Sequence, residues 1–224
     1  MSLLEKYIYE EIVPQYAAFD MAHKEDHAHT VISQALKLLN DREAWLETHP
    51  EEAGSVWDDP IDRNILLAAA ACHDLGLVNG RDNHHLDSGK IIRNDDRLRA
   101  WFNEDEIELI AQAAEDHRAS GKGVPRSIYG MLVAEADRVI VGETIILRTI
   151  QFGQKHYPDL DREGHLKRAC EHLKEKYGRR GYLRLWIPWS DNAGRLNELQ
   201  DLIDDEDAMM AEVERIYDEN INRF

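Results

Sequence analysis

Apolar positions recur every three to four residues along almost the whole chain, and no convincing run alternates in the manner of a strand. The pattern predicts an all-α protein. An opening helix is expected over residues 2–19, interrupted at Pro14, which lacks the N–H that a helix interior needs. A second should run from about Asp26 to Leu39. Asp41 to Asp59 is acidic, carries Pro50 and Gly54, and reads as a loop with room for a short helix. Asp59-Pro60 offers an N-cap and a first-turn proline for a third helix, which runs through Leu66-Leu67-Ala68-Ala69-Ala70-Ala71 to His73-Asp74 and stops at Gly76.

Gly80 to Asn83 form a loop, and a helix opens at Asn83 or the next residue and continues through Ile92. Asn103 with Glu106 makes a capping box for a helix that ends near His117. After the loop Ala119–Pro125, Ser127 caps a long helix through Asp137 to about Phe152. The remainder is helical too, with Leu166, Ala169, Leu173 and Tyr177 on one stripe and Leu196, Leu199, Ile203, Met210 and Tyr217 on another. Trp186-Ile187-Pro188-Trp189 reads as a packed turn between them. With no internal repeat or low-complexity linker, the expected organisation is a helical bundle over residues 1–150 and a helical extension, 151–224, packed on the same unit.

Some polar residues sit on the apolar stripes. His27 shares a face with Val31, Ala35 and Leu38, and His73 with Leu66 and Ala69. His85 aligns with Ser88, Gly89 and Ile92, His117 with Ile107, Ile110 and Ala114, and Asp137 with Tyr129, Val133 and Ile140. A buried imidazole or carboxylate is costly unless it is paired or bound to metal. One such histidine is ordinarily a hydrogen-bonded core residue. Five predicted helices each aiming one inward is a different matter. Imidazole nitrogens and carboxylate oxygens suit Zn, Mn and Fe, so His27, His73, Asp74, His85, His117 and Asp137 are the expected ligands of one or two divalent ions inside the bundle. His23, His29 and His84 adjoin members of this set at spacings that turn them to other faces.

Composition narrows the picture. The chain has 224 residues, enough for a substantial core, and a net charge of −17 from 44 acids and 27 bases. That balance excludes general binding to nucleic acid or anionic membranes. No apolar run reaches the ~18–20 residues that cross a bilayer, and the N-terminus reads as neither a signal peptide nor an anchor. Cys72 and Cys170 make no disulfide framework, so a cytoplasmic protein is expected. The acidic stripe Asp204-Asp205-Glu206-Asp207 reads as a solvated face that could also serve a homodimer.

His27, His73-Asp74 and Asp137 together resemble the HD superfamily of metal-dependent phosphohydrolases. His27-x-x-x-Val31, His73-Asp74-Leu75-Gly76, His85-x-x-x-Gly89 and Ala136-Asp137-Arg138 fit as well, over about residues 20–145. His117-Arg118-Ala119-Ser120 and Pro125-Arg126-Ser127-Ile128-Tyr129-Gly130 resemble a small bacterial branch of it. The resemblance implies an HD-domain-like helical bundle with a divalent metal held by His27, His73, Asp74 and Asp137. His85 and His117 match the two further histidines of branches that bind two metals, in which Asp74 bridges the ions, so a dinuclear site is favoured.

The implied activity is hydrolysis of a P–O bond in a small phosphate ester or nucleotide by metal-activated water, with Asp74 the catalytic residue. Arg118, Lys122 and Arg126, in or beside the loop that follows His117, are the expected phosphate-binding cations. The acids or the Gly-Tyr-Pro signature that mark the alarmone, nucleoside-monophosphate and cyclic-dinucleotide branches are missing after the metal pair. Two alternatives use the same scaffold: a di-iron oxygenase of this fold, and a non-catalytic ligand-binding or regulatory protein.

Overall fold

The computed structural model describes residues 1–19, 23–118 and 123–220; Lys122 lies outside them. Among the described residues there are ten α-helices and no strands, as the periodicity predicts. No helix among them is long and apolar enough to cross a membrane. The chain divides into two compact units, Met1–Arg138 with Trp186–Ser190, and Val139–Leu185 with Asp191–Phe224.

The first unit opens with α1 (Leu3–Tyr7), capped by Ser2 and Glu5 in a capping box. The prediction of one interrupted helix is refined here. Because Pro14 has no N–H to donate, the chain widens into a π-turn over Ile8–Ile12, in which the Val13 N–H reaches back to the Ile8 carbonyl. It then tightens into a 3-10 turn over Val13–Ala18. Helix α2 (Glu25–Thr48) is longer than expected, since nothing in Asp41–Thr48 stops a helix on a solvated face. The stretch behind it is pinned by Arg42, whose guanidinium donates to the carbonyls of Trp57 and Asp59.

Helix α3 (Arg63–Cys72) starts later than Asp59-Pro60 suggests. Asp62 is the cap, accepting from the N–H groups of Asn64 and Ile65. Ile65 through Cys72 are all buried, so α3 is the central helix, and its four alanines let neighbours approach closely. It packs against α2, α5 (Glu104–Asp116) and α6 (Ile128–Asp137). A 3-10 turn over Leu75–Asn79 leads to α4 (His84–Arg93). Gly76 is not a left-handed helix stop; among the described residues positive φ is confined to Gly54 and Gly80. Its role is space: a Cβ there would meet the His84 carbonyl at 2.0 Å and the Ser88 nitrogen at 2.5 Å. Gly89 likewise leaves room for Glu115.

The Asn103–Glu106 capping box and the Ser127 cap form as predicted. The long helix expected after Ser127 is two, because α6 ends at Asp137. Trp186–Ser190 returns to the first unit: the Trp186 N–H donates to the buried Glu135 carboxylate at 2.8 Å, and the Trp189 indole to the Leu38 carbonyl at 2.8 Å.

The second unit holds α7 (Gly142–His156), α8 (Arg162–Tyr177), α9 (Asn192–Asp204) and α10 (Glu206–Asn220). The chain thus divides at Arg138 instead of near residue 150, since α7 packs on α8 and α10. Leu166, Ala169 and Leu173 are buried, as are Leu199, Ile203 and Tyr217; Met209 takes the place expected of Met210, because the break at Asp205 shifts the register. The acidic stripe is partly neutralised within the unit: Arg179 binds Asp201 and Asp204, and Lys174 binds Glu206.

Candidate metal centre

Five helices bring histidines or carboxylates to one place, and every donor lies at a helix end. His27 is in the first turn of α2, His84 opens α4, and Asp137 closes α6. His73 and His117 are the C-terminal caps of α3 and α5, and Asp74 follows directly. Four donors, His73, Asp74, His117 and Asp137, thus stand at or beside C-terminal helix ends, whose partial negative charge favours a cation.

Asp74 is the hub. Its Oδ2 lies 3.5 Å from His27 Nε2 and 3.4 Å from His73 Nε2. Its Oδ1 lies 3.4 Å from His84 Nε2 and 3.3 Å from His117 Nε2. Asp137 Oδ1 completes the first group, 3.3 Å from His27 Nε2 and 3.9 Å from His73 Nε2. The result is two donor groups sharing one carboxylate: His27, His73 and Asp74, and Asp74, His84 and His117.

The hydrogen bonds behind the rings fix which nitrogen faces inward. Nδ1 of His73, His84 and His117 lies 2.8, 2.7 and 2.5 Å from the carbonyls of Ala70, Arg81 and Ala114. Each carbonyl is three residues back and can only accept, so Nδ1 carries the proton and Nε2 presents a lone pair in the neutral ring. In the second group two such nitrogens, on His84 and His117, face each other at 3.3 Å. Two lone pairs at that distance repel unless a proton or a metal ion lies with them. Donors on one tetrahedral ion with bonds of ~2.0–2.1 Å stand about 3.3–3.4 Å apart, so the spacing fits a shared ion.

The charge environment agrees. Burial alone would push the His27 imidazole down, but the carboxylates of Asp137 and Asp74 outweigh it and raise it to about 9. His117 is likewise raised by Asp74 against its burial. Asp74 and Asp137 are held well below the ordinary carboxylate range by the surrounding histidines, despite their desolvation. Burial lowers His84. His73, Asp74 and His117 form a buried floor, whereas the side chains of His27, His84 and Asp137 keep 17, 14 and 23 % of their exposure. The centre therefore opens to solvent along one rim.

Five of the six expected ligands meet here; His85 does not, and His84 stands in its place. His85 lies on the α4 stripe with Ser88, Gly89 and Ile92, as its spacing indicates. Its Nδ1 is buried without a hydrogen-bond partner, and burial pushes the ring down to about 4. The periodicity names the residue facing the core, but the centre lies to the side of α4, where Gly76 lets the Leu75–Asn79 turn press against His84 and Ser88. The Gly76 N–H donates to Ser88 Oγ at 2.8 Å. The sequence carries one hint of this, a pair of adjacent histidines of which only one can take each face.

Of the expected phosphate-binding cations, Arg118 adjoins the centre and donates to the Asp82 carbonyl at 2.6 Å. Arg126 is engaged elsewhere: its Nη2 lies 2.6 Å from Glu115, and its Nε 3.1 Å from Asp116. Arg93 joins the same network through Glu115 and Glu108. Carboxylates ten and eleven residues upstream on α5 close on Arg126, a tertiary pairing that local sequence does not reveal. His23 packs edge-on against His27, and His29 stacks on Tyr9. Glu135, which anchors Trp186 from 51 residues away, carries no signal in the local sequence.

A family model described as HD domain matches residues 20–141, more than half of the chain. Comparison with curated proteins and with solved structures gives no match.

Proposed function

Because this chain belongs to the HD-domain family, we propose that it is a metal-dependent phosphohydrolase with a dinuclear centre, acting on a small phosphate ester or nucleotide. The observation that carries the reading is the Asp74 carboxylate, with one oxygen turned to each of two histidine pairs. His27, His73 and Asp137 would hold one ion, His84 and His117 the other, with Asp74 between them. Bound divalent ions would supply hydroxide near neutral pH and offset charge on the phosphoryl oxygens.

The chain's own residues do the rest. The backbone carbonyls of Ala70, Arg81 and Ala114 hold three imidazoles in the ligating tautomer. Asp74, tied to both pairs, is placed to orient the attacking water. Arg118 can bind a substrate phosphate if it exchanges the Asp82 carbonyl for it, and Lys122 remains a candidate for the same role. Arg126 serves the scaffold, since two carboxylates already engage it. The solvated rim of His27, His84 and Asp137 suits a small substrate approaching from outside the bundle.

Elemental analysis of the purified protein, paired with a phosphate-release screen over nucleotides and sugar phosphates, tests the reading. Two equivalents of Mn, Co, Zn or Fe with phosphate release support it, and Asp74→Ala should abolish both. Iron with oxygen uptake and no phosphate release would refute hydrolysis in favour of oxygenase chemistry. An Asp74→Ala variant that keeps metal and activity would refute the site.

A further inference from the structure

Tyr16 lies before the residues that the family model matches, on the 3-10 turn that holds Pro14 and follows the π-turn. It is fully buried, and its hydroxyl bridges two backbone groups at the end of α3. It donates to the Ala71 carbonyl at 2.8 Å and accepts from the Asp74 N–H at 3.2 Å. Its ring packs against His73, with centroids 6.1 Å apart, and edge-on against Phe19 at 5.2 Å. One side chain therefore touches both residues of the His73-Asp74 pair.

The need for such a bridge follows from how α3 ends. Consecutive helical residues point about 100° apart, so a continuing helix would turn one member of the pair away from the centre. Here the helix stops: Asp74 leaves the helical region, with φ −110° and ψ 8°. In a continuing helix the Asp74 N–H would bond the Ala70 carbonyl, but that carbonyl faces His73 Nδ1. Breaking off leaves a buried N–H and a buried carbonyl to be satisfied, and each costs roughly 1–3 kcal/mol if it is not. The Tyr16 hydroxyl, both donor and acceptor, serves both.

We propose that Tyr16 is a positioning residue for the metal centre, its hydroxyl replacing the helical hydrogen bonds lost where α3 stops so that His73 and Asp74 face the same ions. The inference rests on the metal-centre reading above. It also gives the opening segment a task, since the π-turn and Pro14 set the register that brings Tyr16 beneath α3.

The test is a Co²⁺ titration of the metal-free protein, followed by visible absorbance and by counting metal retained after desalting. Tyr16→Phe keeps the ring and removes only the bridge. It should keep the wild-type helical circular dichroism and bind Co²⁺ about 10–100-fold more weakly, the usual effect of removing a group that orients a ligand. Val13→Ala, a buried apolar truncation in the same turn, should lower Tm while leaving Co²⁺ affinity unchanged. Wild-type affinity in Tyr16→Phe overturns the proposal, and so does an equal loss in Val13→Ala. Amide exchange in the metal-free wild type gives an answer that needs no variant: the Asp74 N–H should be protected like the α3 interior, and rapid exchange overturns the bridge. A wild-type protein that binds no Co²⁺ refutes the metal centre itself, whereas binding undisturbed by Tyr16→Phe refutes only the role of Tyr16.

Discussion

On the dinuclear reading proposed above, adding one methyl group at Gly76 should empty half of the centre. The alanine Cβ would lie 2.0 Å from the His84 carbonyl oxygen and 2.5 Å from the Ser88 nitrogen, whereas real Cβ contacts essentially never fall under 3.0 Å. Both obstacles are backbone, so no side chain can swing aside. The start of α4 must retreat by about 1 Å, the gap between 2.0 and 3.0 Å, and His84 moves with it. His84 Nε2 now lies 3.4 Å from Asp74 Oδ1. A retreat directed along that line, the largest effect, would stretch the separation to about 4.4 Å, beyond the roughly 4.2 Å that separates even opposite donors on one ion with ~2.1 Å bonds. The His84–His117 group should therefore lose its ion, while His27, His73 and Asp137, on other helices, keep theirs. Overpacking of this kind costs about 1–3 kcal/mol, small enough for the fold to survive. The expected result for Gly76→Ala is native circular dichroism, bound metal falling from two equivalents to one, and phosphate release lower by about 100-fold. A variant that retains both ions at wild-type affinity would show that the close approach of Gly76 does not set the position of His84.

The two adjacent histidines separate cleanly. His84→Ala should lose one metal equivalent and His85→Ala none, as read by elemental analysis, and the reverse would reinstate His85 as the ligand. The pH dependence has a definite sign. His27, raised from 6.5 to about 9 by its carboxylates, stabilises the metal-free fold fully below 6.5, and the contribution is lost as pH climbs through about 9. The Tm of metal-free protein should fall over that window. Because the same proton must leave Nε2 before an ion can bind, Co²⁺ affinity should rise over the same window, and a flat affinity would contradict the assignment of His27.

The all-α class, the caps at Asn103 and Ser127, and five of the six residues gathered at the centre are legible in the linear pattern. These are local or periodic properties. A capping side chain bonds backbone two or three residues away, and a polar residue on an apolar stripe announces that its helix buries it. The ends of helices were less legible. Asp62 caps α3 in place of Asp59, and α6 stops at Asp137, because packing partners decide where a permissive stretch ceases to be helical.

That His84 faces Asp74 where His85 does not, that Arg126 binds Glu115 and Asp116, and that the Tyr16 hydroxyl lies beneath Asp74 are properties of the folded chain. Each depends on segments distant in sequence meeting at a definite separation. Helical periodicity gives the direction of a side chain about its own axis, but not which neighbour lies there. Here the neighbour was fixed by a glycine small enough to let a turn touch α4 and by a proline that reset the register of the opening segment.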